Sequence, residues 1–354
     1  MVKSPWLSLR FNRVPVSLKI DRRVPLVALI LLMLAAVVLV LSVSYGEYDI
    51  PVSDVVQTIL NTNQDHPDYA NYHLVVHTFR MPRIVLAFLV GASLAASGTI
   101  MQGITRNPLA EPGILGVSAG AGVAVVTMIV YLQDAPLQYL PWAAFFGGTV
   151  VAALIYVLSW RHGRSSPLRM ALIGVAFATG LGSITTLMLT FGEINDVQQA
   201  YLWLVGSVYG RNWEHVYTLG AWMLAVLPIS WLLARQLNIM NLGDDLARGL
   251  GVRVEMQRAL LLLCSVALAA AAVAVSGTIG FVGLVAPHVS RRLVGPSHEG
   301  LLLISALFGG TLLMLADLIG RWVIAPTEMP IGVVTGIIGA PYFLYLLYRH
   351  RNEI

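Results

Sequence analysis

The residues that could do chemistry do not gather into a reactive centre. The long apolar runs of this chain carry no charged residue at mid-length, and Asp317, near the end of one run, comes nearest. An intramembrane protease needs a reactive pair at depth, and no H-E-x-x-H or paired aspartates occur in these runs. Ion-coupled carriers usually place carboxylates or histidines at mid-membrane, which weakens a secondary transporter as well. The i, i+4 spacing of Asp317 and Arg321 favours a helical ion pair.

Three arginines could recognise an acidic partner. Arg80 and Arg83 straddle a proline just before one apolar run, and Arg321 lies at the end of another. The topology derived below places all three outside the membrane, where positive charge runs against the usual bias and requires compensation. Nearby aspartates or lipid phosphates would supply it. The alternative is an acidic protein surface whose charge complementarity sets orientation and on-rate.

A loop at residues 236–254 contains the second candidate element. Asp244 is expected to cap a short helix that begins near Asp245, and Gly249 and Gly251 are expected to stop it. The pattern predicts a compact element at the membrane face, either an ordinary capped loop or a docking element. Its named members are Gly243, Asp244, Asp245, Ala247, Arg248, Gly249, Leu250 and Gly251.

A stripe of small residues is the third candidate. Its members recur every four residues or lie beside those that do: Gly174, Ala178, Thr179, Gly182, Ser183 and Thr186. Small residues at this spacing favour close helix packing. They also suit a smooth, weakly polar wall of a transport path, and the two roles can occupy different faces.

Neither a metal site nor a cofactor is predicted. Cys264 stands alone inside an apolar run and is interpreted as a packing residue. His288 has no second ligand at helical spacing, so a structural or gate-adjacent role is favoured. The only lysines, Lys3 and Lys19, follow no Gly-rich loop. A P-loop is therefore absent, and any ATP-driven activity needs a partner chain.

Composition indicates a polytopic membrane protein. Of the 354 residues, 57% are hydrophobic and 11% charged, whereas soluble domains carry about 25% charged residues. Residues 1–23 form a predicted cytoplasmic tail, and residues 24–354 a single all-α transmembrane domain with an outside loop and an inside loop at residues 236–254. Ten spans are predicted at residues 24–43, 84–105, 113–132, 141–160, 169–190, 216–234, 258–276, 279–294, 301–320 and 331–348. A short helix is expected in the outer loop near residues 52–60.

The charge distribution orients these spans. With both termini in the cytoplasm, only Arg80, Arg83, Arg211 and Arg321 of the 22 Lys and Arg residues fall in outer segments. This is a strong positive-inside bias. The net charge of +4 is thus assigned to topology, and nucleic acid is not an expected partner.

An internal repeat is also present. Ser97-Gly98-Thr99-Ile100, at the end of span 2, recurs as Ser276-Gly277-Thr278-Ile279 at the end of span 7. Span 7 comes five spans after span 2, and spans an odd number of steps apart cross the membrane in opposite directions. That predicts an inverted-topology repeat of the kind common in transporters.

Residues 80–122 carry a resemblance to a known family. R-x-P-R, G-A-x-L-A-x-S-G and Q-x-x-x-R-N-P-L-A-x-P-x-x-L-G-V-x-x-G-A resemble FecCD-like permease subunits of type II ABC importers. That family carries iron–siderophore complexes, haem or cobalamin. The pattern W-L-x-G-S-x-x-G-R-x-W at residues 203–213 is more similar to the ferric-siderophore members, and cobalamin or haem is the alternative.

The resemblance implies partners and roles. It implies two ATPase subunits, a substrate-binding protein outside, and a second permease subunit, identical or not, in a bacterial inner membrane. By the same resemblance Arg80, Arg83 and Arg321 pair with glutamates of the binding protein. The loop around Gly243–Gly251 sits in a groove of the ATPase, and span 5 helps to line the path at the dimer axis.

Overall fold

The chain folds almost entirely into helices. The structure is a computed structural model that describes residues 6–10, 17–46, 48–132, 135–161, 163–325 and 327–349. Its α-helices are α1 Arg23–Ser44, α2 Val52–Ile59, α3 Tyr69–His73, α4 Met81–Thr105, α5 Val117–Tyr131, α6 Leu140–Leu158, α7 Pro167–Thr190, α8 Ile194–Val205, α9 Trp213–Leu232, α10 Ala234–Met240, α11 Asp244–Gly249, α12 Val254–Ser276, α13 Val282–Val294, α14 His298–Trp322 and α15 Ile331–Arg349. The predicted short outer helix is confirmed as α2.

Two short antiparallel hairpins complete the described structure. Strands β1, Trp6–Arg10, and β2, Ser17–Asp21, pair within the segment predicted as a tail. Strands β3, Trp160–Arg161, and β4, Arg164–Ser165, join α6 to α7. Neither hairpin was expected from the sequence.

All ten predicted spans correspond to helices, but not to equal ones. Eight helices are long and apolar enough to cross a membrane. The other two, α5 and α13, have 15 and 13 residues. At 1.5 Å per residue α13 is only about 20 Å long, against ~30 Å of hydrocarbon. The eighth span is thus a half-helix that begins at Val282, later than predicted, after a non-helical stretch.

The second span is longer than predicted. Helical structure runs without interruption from Tyr69 to Thr105, and residues 74–80 within it are π-helical. Pro82 cannot donate to the preceding turn, and the adjacent π segment accommodates that missing bond. The helix ends where the polar break predicted it, because Arg106 takes a left-handed conformation.

Helices α4 and α12 form the centre of the bundle. In their most apolar windows 83% and 78% of residues are buried, against 11% in α7. Ser93 Oγ donates to the Leu268 carbonyl at 2.9 Å, and Ser97 Oγ to the Ser265 carbonyl at 2.7 Å. Since the partner number falls as the first number rises, the two helices are antiparallel, as the inverted repeat predicts.

The packing partners of the two halves also correspond. Helix α4 packs on α14 and α12 packs on α6, while α5 packs on α6 and α13 on α14. A second repeat marks this correspondence: Phe146-Gly147-Gly148-Thr149 in α6 and Phe308-Gly309-Gly310-Thr311 in α14. Sequence analysis missed it because its offset differs from that of the first repeat.

The first repeat differs in conformation between its copies. Residues 97–100 lie inside α4, not at its end as predicted, whereas Ser276 is the last residue of α12. Gly277 has φ +72°, which ends the helix. The same four residues therefore continue one helix and terminate the other.

Candidate functional site

The three predicted docking arginines lie together at the predicted outer end, but within an internal network. Arg83 binds Asp317 at 2.8 Å and Glu328 at 2.7 Å, and Arg321 approaches the other Asp317 oxygen at 3.1 Å. Asp317 is only 1% exposed, while Glu328 is 35% exposed. The helical pair of Asp317 with Arg321 is thus confirmed, with Arg83 as a second partner from α4.

Two of these arginines also hold the end of α1. Arg80 donates to the Val43 and Tyr48 carbonyls, and Arg321 donates to the Ser42 carbonyl at 3.1 Å. The last carbonyls of a helix lack intrahelical partners and carry partial negative charge. The helix end is therefore what compensates Arg80, a possibility that sequence analysis did not consider.

A large cavity opens beside this network. It has a volume of about 1930 Å³ and lies between the outer ends of α6, α8, α9, α12 and α14. Arg80, Arg83, Arg211 and Arg321 all line it, together with Trp203 and Ser207 of the W-L-x-G-S segment. Several residues between 203 and 212 of this segment thus form part of the cavity wall.

At the predicted inner end, the 236–254 loop forms the expected compact element. Helix α11 runs from Asp244 to Gly249, and Gly243 and Gly251 flank it with φ +113° and +85°. Ala247 is fully buried against the bundle. Leu242, Leu246 and Leu250 are each about 60% exposed. Leu246 and Leu250 lie one helical turn apart, and Leu242 precedes Gly243, the residue before the helix. We call these three exposed leucines the apolar ridge of the element.

The prediction that Asp244 caps α11 is wrong. Its carboxylate makes no capping bond; it pairs with Arg106, just after α4, and with Arg258 of α12 at 2.8 Å. Burial opposes ionisation of Asp244, but the hydrogen bonds and charges of Arg258 and Arg106 outweigh it and hold its pKa below the ordinary 3.8. Asp244 thereby joins α11 to the inner ends of both central helices.

Arg258 is the most deeply buried member of this inner cluster. Its side chain is 0% exposed and also binds Glu255 at 3.1 Å and the Ser165 carbonyl at 3.0 Å. Asp245, by contrast, is 94% exposed and pairs only with Arg248, one helical turn away. The neighbouring aspartates therefore differ sharply: one ties helices together, and the other faces water.

The predicted small-residue stripe lies on α7, the most exposed of the long helices. Ala178, Thr179, Gly182, Ser183 and Thr186 line a shallow groove of about 520 Å³. The hydroxyls of Thr179, Ser183 and Thr186 donate to carbonyls four residues earlier, at 2.9–3.0 Å. The groove wall is thus small and weakly polar.

Gly174 does not belong to this groove. It is buried, and a Cβ there would lie 1.8 Å from the Ile114 carbonyl oxygen. A stripe of i, i+4 positions drifts around a helix of 3.6 residues per turn, so its first member faces the 3₁₀ turn Pro112–Leu115. For Gly174, the packing interpretation is correct.

The half-helix α13 begins against a carboxylate that sequence analysis overlooked. Phe281, the residue before α13, has its backbone N–H close to the carboxylate of Glu111, in the connection between α4 and α5. Gly283 lies beside Pro112 and the Leu94 carbonyl of α4, well inside the bundle. His288 of α13 contacts the ring of Tyr342 in α15. The connection 106–112 therefore links the inner cluster to the start of the half-helix.

The described residues offer no reactive or metal-binding centre. Among them, no group of three or more His, Cys, Asp or Glu side chains is arranged so that it could hold a metal ion. Residues 116–120 do read G-x-S-x-G, but Ser118 follows a 3₁₀ turn instead of the strand that a nucleophile elbow requires. Cys264 is buried, as expected of a packing residue.

Known proteins resemble this chain along nearly its whole length. The FecCD transport family model matches residues 32–349. A probable siderophore transport system permease protein of Bacillus subtilis (strain 168) is 44% identical over 339 residues, covering 94% of this chain and 97% of the relative. An Fe(3+)-citrate import system permease protein of the same organism is 42% identical over 325 residues, covering 91% and 95%.

A solved structure shares the fold. It shows an inward-facing conformation of a metal-chelate type ABC transporter, with a TM-score of 0.81 and 32% identity. The match covers 92% of this chain and 99% of that one.

Proposed function

The chain belongs to the FecCD transport family, and from that premise we propose that it carries ferric siderophore across the bacterial inner membrane. It is a multi-pass permease subunit of an ABC importer, so its own work is translocation. Relatives named for siderophore and Fe(3+)-citrate transport support the cargo. The observation that carries the proposal is the tie of α11 to both central helices through Asp244.

Two separate ATPase subunits would supply the energy. The ridge of Leu242, Leu246 and Leu250 is exposed at the predicted inner face, and exposed apolar clusters of this kind mark protein contacts. A push on α11 passes through Asp244 to the ends of α4 and α12. From Arg106 it continues along the connection to Glu111 and the half-helix α13.

A substrate-binding protein would dock on the outer network. Arg80, Arg83 and Arg321 are largely engaged inside this chain, and Arg83 is 12% exposed. Glu328 is the exposed carboxylate on Arg83, and an acidic side chain of the partner would take its place there. The positive-inside distribution supports a cytoplasmic position for both termini.

The path would run along the groove of α7, opposite the same helix of a second permease subunit. Its small residues offer no charge to hold a polar chelate. Binding of the loaded partner and of ATP would then open and close opposite ends of this path.

The cargo is tested by uptake in iron-limited cells that lack this chain. Radio-iron on several siderophores, labelled cobalamin and labelled haem are measured in parallel. We expect loss of uptake of one ferric siderophore, restored by the wild-type chain. Loss of cobalamin or haem uptake with normal iron uptake would overturn the cargo and keep the architecture.

A further inference from the structure

Arg211 is the one outer arginine that the internal network leaves out. Its side chain is half-buried just before α9. The Nη1 atom of Arg211 lies 3.4 Å from His215 Nε2. Its buried Nε has no hydrogen-bond partner. Among the described residues no carboxylate forms an ion pair with it, although Glu214, Asp49 and Glu328 line the same cavity. A half-buried guanidinium whose buried Nε lacks a partner is stabilised by an anion nearby.

The contacts around Arg211 fix the sign of that ligand. Asn212 Oδ1 lies 2.7 Å from His215 Nδ1, an arrangement in which Nδ1 of a neutral ring donates to Asn212 and Nε2 accepts from Arg211. The guanidinium keeps its remaining donors for the cavity. Guanidinium donors match the paired oxygens of a phosphate or carboxylate.

The shape of the cavity identifies which anion fits. From Arg211 the cavity follows α9 to Trp222, about 13 Å along the helix from its first residue at 1.5 Å per residue. At that depth Trp222 packs on Phe145 of α6, with ring centroids 5.1 Å apart. Trp142 lines its side and is 51% exposed. A charged mouth above a deep aromatic cleft suits an amphiphile better than an acidic side chain.

Arg211 lies at the depth where a lipid headgroup is expected. Trp213, two residues away, donates its ring N–H to the His77 carbonyl and stacks on Tyr217. Trp and Tyr gather at the membrane–water interface, at headgroup level. We propose that the cavity binds an outer-leaflet phospholipid, with its phosphate on Arg211 and an acyl chain in the cleft between α6 and α9.

The test is the lipid retained by purified protein. Wild type, Arg211→Gln and Arg211→Lys are extracted in mild detergent, washed, and analysed by native mass spectrometry and bound phosphorus. We expect wild type to keep a phospholipid that Arg211→Gln binds at least ~10-fold more weakly, with Arg211→Lys in between. Arg161→Gln, an exposed arginine in the β3–β4 hairpin at the other face, should behave as wild type.

Three outcomes would overturn the site. Arg211→Gln could retain lipid as wild type does. Inorganic phosphate could displace the signal in wild type, which would indicate a free-anion site. Arg211→Gln could keep its lipid but lose binding of the acidic partner protein, which would place Arg211 in the docking surface.

Discussion

At the residue scale, the structure depends on two carboxylates that each pair with two arginines: Asp317 is buried, and Asp244 is 28% exposed. Asp317 joins α4 to α14 at one end of the bundle, and Asp244 joins α11 to α4 and α12 at the other. In both cases ion pairs within the chain hold the arginines more firmly than the sequence indicated. A carboxylate that compensates two cations cannot be removed without leaving buried positive charge.

Replacing Asp244 with Asn should reduce transport more strongly than ATP hydrolysis. The change removes the charge that holds Arg106 and the fully buried Arg258, at a cost of about 1.5–3 kcal/mol per charged hydrogen bond. We expect ATP-driven uptake to fall ~10-fold or more, with a lower thermal unfolding midpoint. The matched control is Asp245→Asn, which removes only an exposed pair and should stay within about 0.5 kcal/mol of wild type.

The same link sets a pH response. Because the folded-state pKa of Asp244 lies below 3.8, its stabilising effect is complete above that value and is lost as pH falls through the lower folded pKa. At neutral pH the link is ionised. Equal effects of the Asp244 and Asp245 variants on uptake would show that this link carries no coupling.

Replacing Asp317 with Asn should destabilise the outer end. Two arginines would lose their buried carboxylate, and breaking such a pair costs about 3–5 kcal/mol. Glu328→Gln removes the more exposed partner of Arg83 and should cost at most ~1 kcal/mol. Thermal unfolding in detergent distinguishes them. A Glu328 variant as unstable as the Asp317 variant would show that the outer carboxylate is the structural one.

At the element scale, backbone contact between glycines sets the helix positions. A Cβ at Gly91 of α4 would lie 2.1 Å from the Gly309 carbonyl oxygen of α14. The close approach is possible because neither position has a side chain. It brings the two halves of the repeat together at the centre of the bundle.

Gly91→Ala should therefore reduce the yield and thermal stability of folded protein. The added methyl forces α4 and α14 apart, and overpacking of this kind typically costs about 1–3 kcal/mol. Gly336→Ala in α15 meets nothing within 4 Å, and better helix propensity should make it neutral or slightly stabilising. Equal behaviour of the two variants would contradict the tight α4–α14 contact.

The groove of α7 gives a second prediction at this scale. A side chain at Gly182 meets nothing within 4 Å, so Gly182→Trp should fold normally and obstruct the proposed path. We expect normal amounts of protein, with uptake at least ~10-fold lower than in wild type. Gly180→Trp is the control, since Gly180 is equally open but lies off the groove. Uptake unaffected at Gly182, or blocked equally at Gly180, would move the path elsewhere.

Most elements could be predicted from the sequence, because apolar length, proline and charge bias are local signals. The half-helix α13 and the continuous helix from Tyr69 could not, since each depends on tertiary packing that supports irregular backbone. For the site, small-residue spacing located the α7 groove but overextended it to Gly174. The local Asp317–Arg321 pair could be predicted from its spacing, but the Arg83–Asp317 pair could not, because only the fold brings these two residues together.

At the scale of the whole molecule, the protein consists of two antiparallel halves around α4 and α12. A network of ion pairs around Asp317 lies at one end, and an element anchored to both central helices lies at the other. An inverted pair of this kind can rock between two arrangements around a fixed centre. The central claim is that this motion depends on an ATPase acting through α11.

The most direct test is ferric-siderophore uptake into proteoliposomes. The permease is reconstituted alone, with its ATPase, and with its ATPase and Asp244→Asn, each with the loaded binding protein outside and ATP inside. We expect accumulation only when both the ATPase and ATP are present, and at least ~10-fold less accumulation with Asp244→Asn than with wild type. Accumulation by the permease alone, driven by an ion gradient, would contradict it and indicate a secondary transporter.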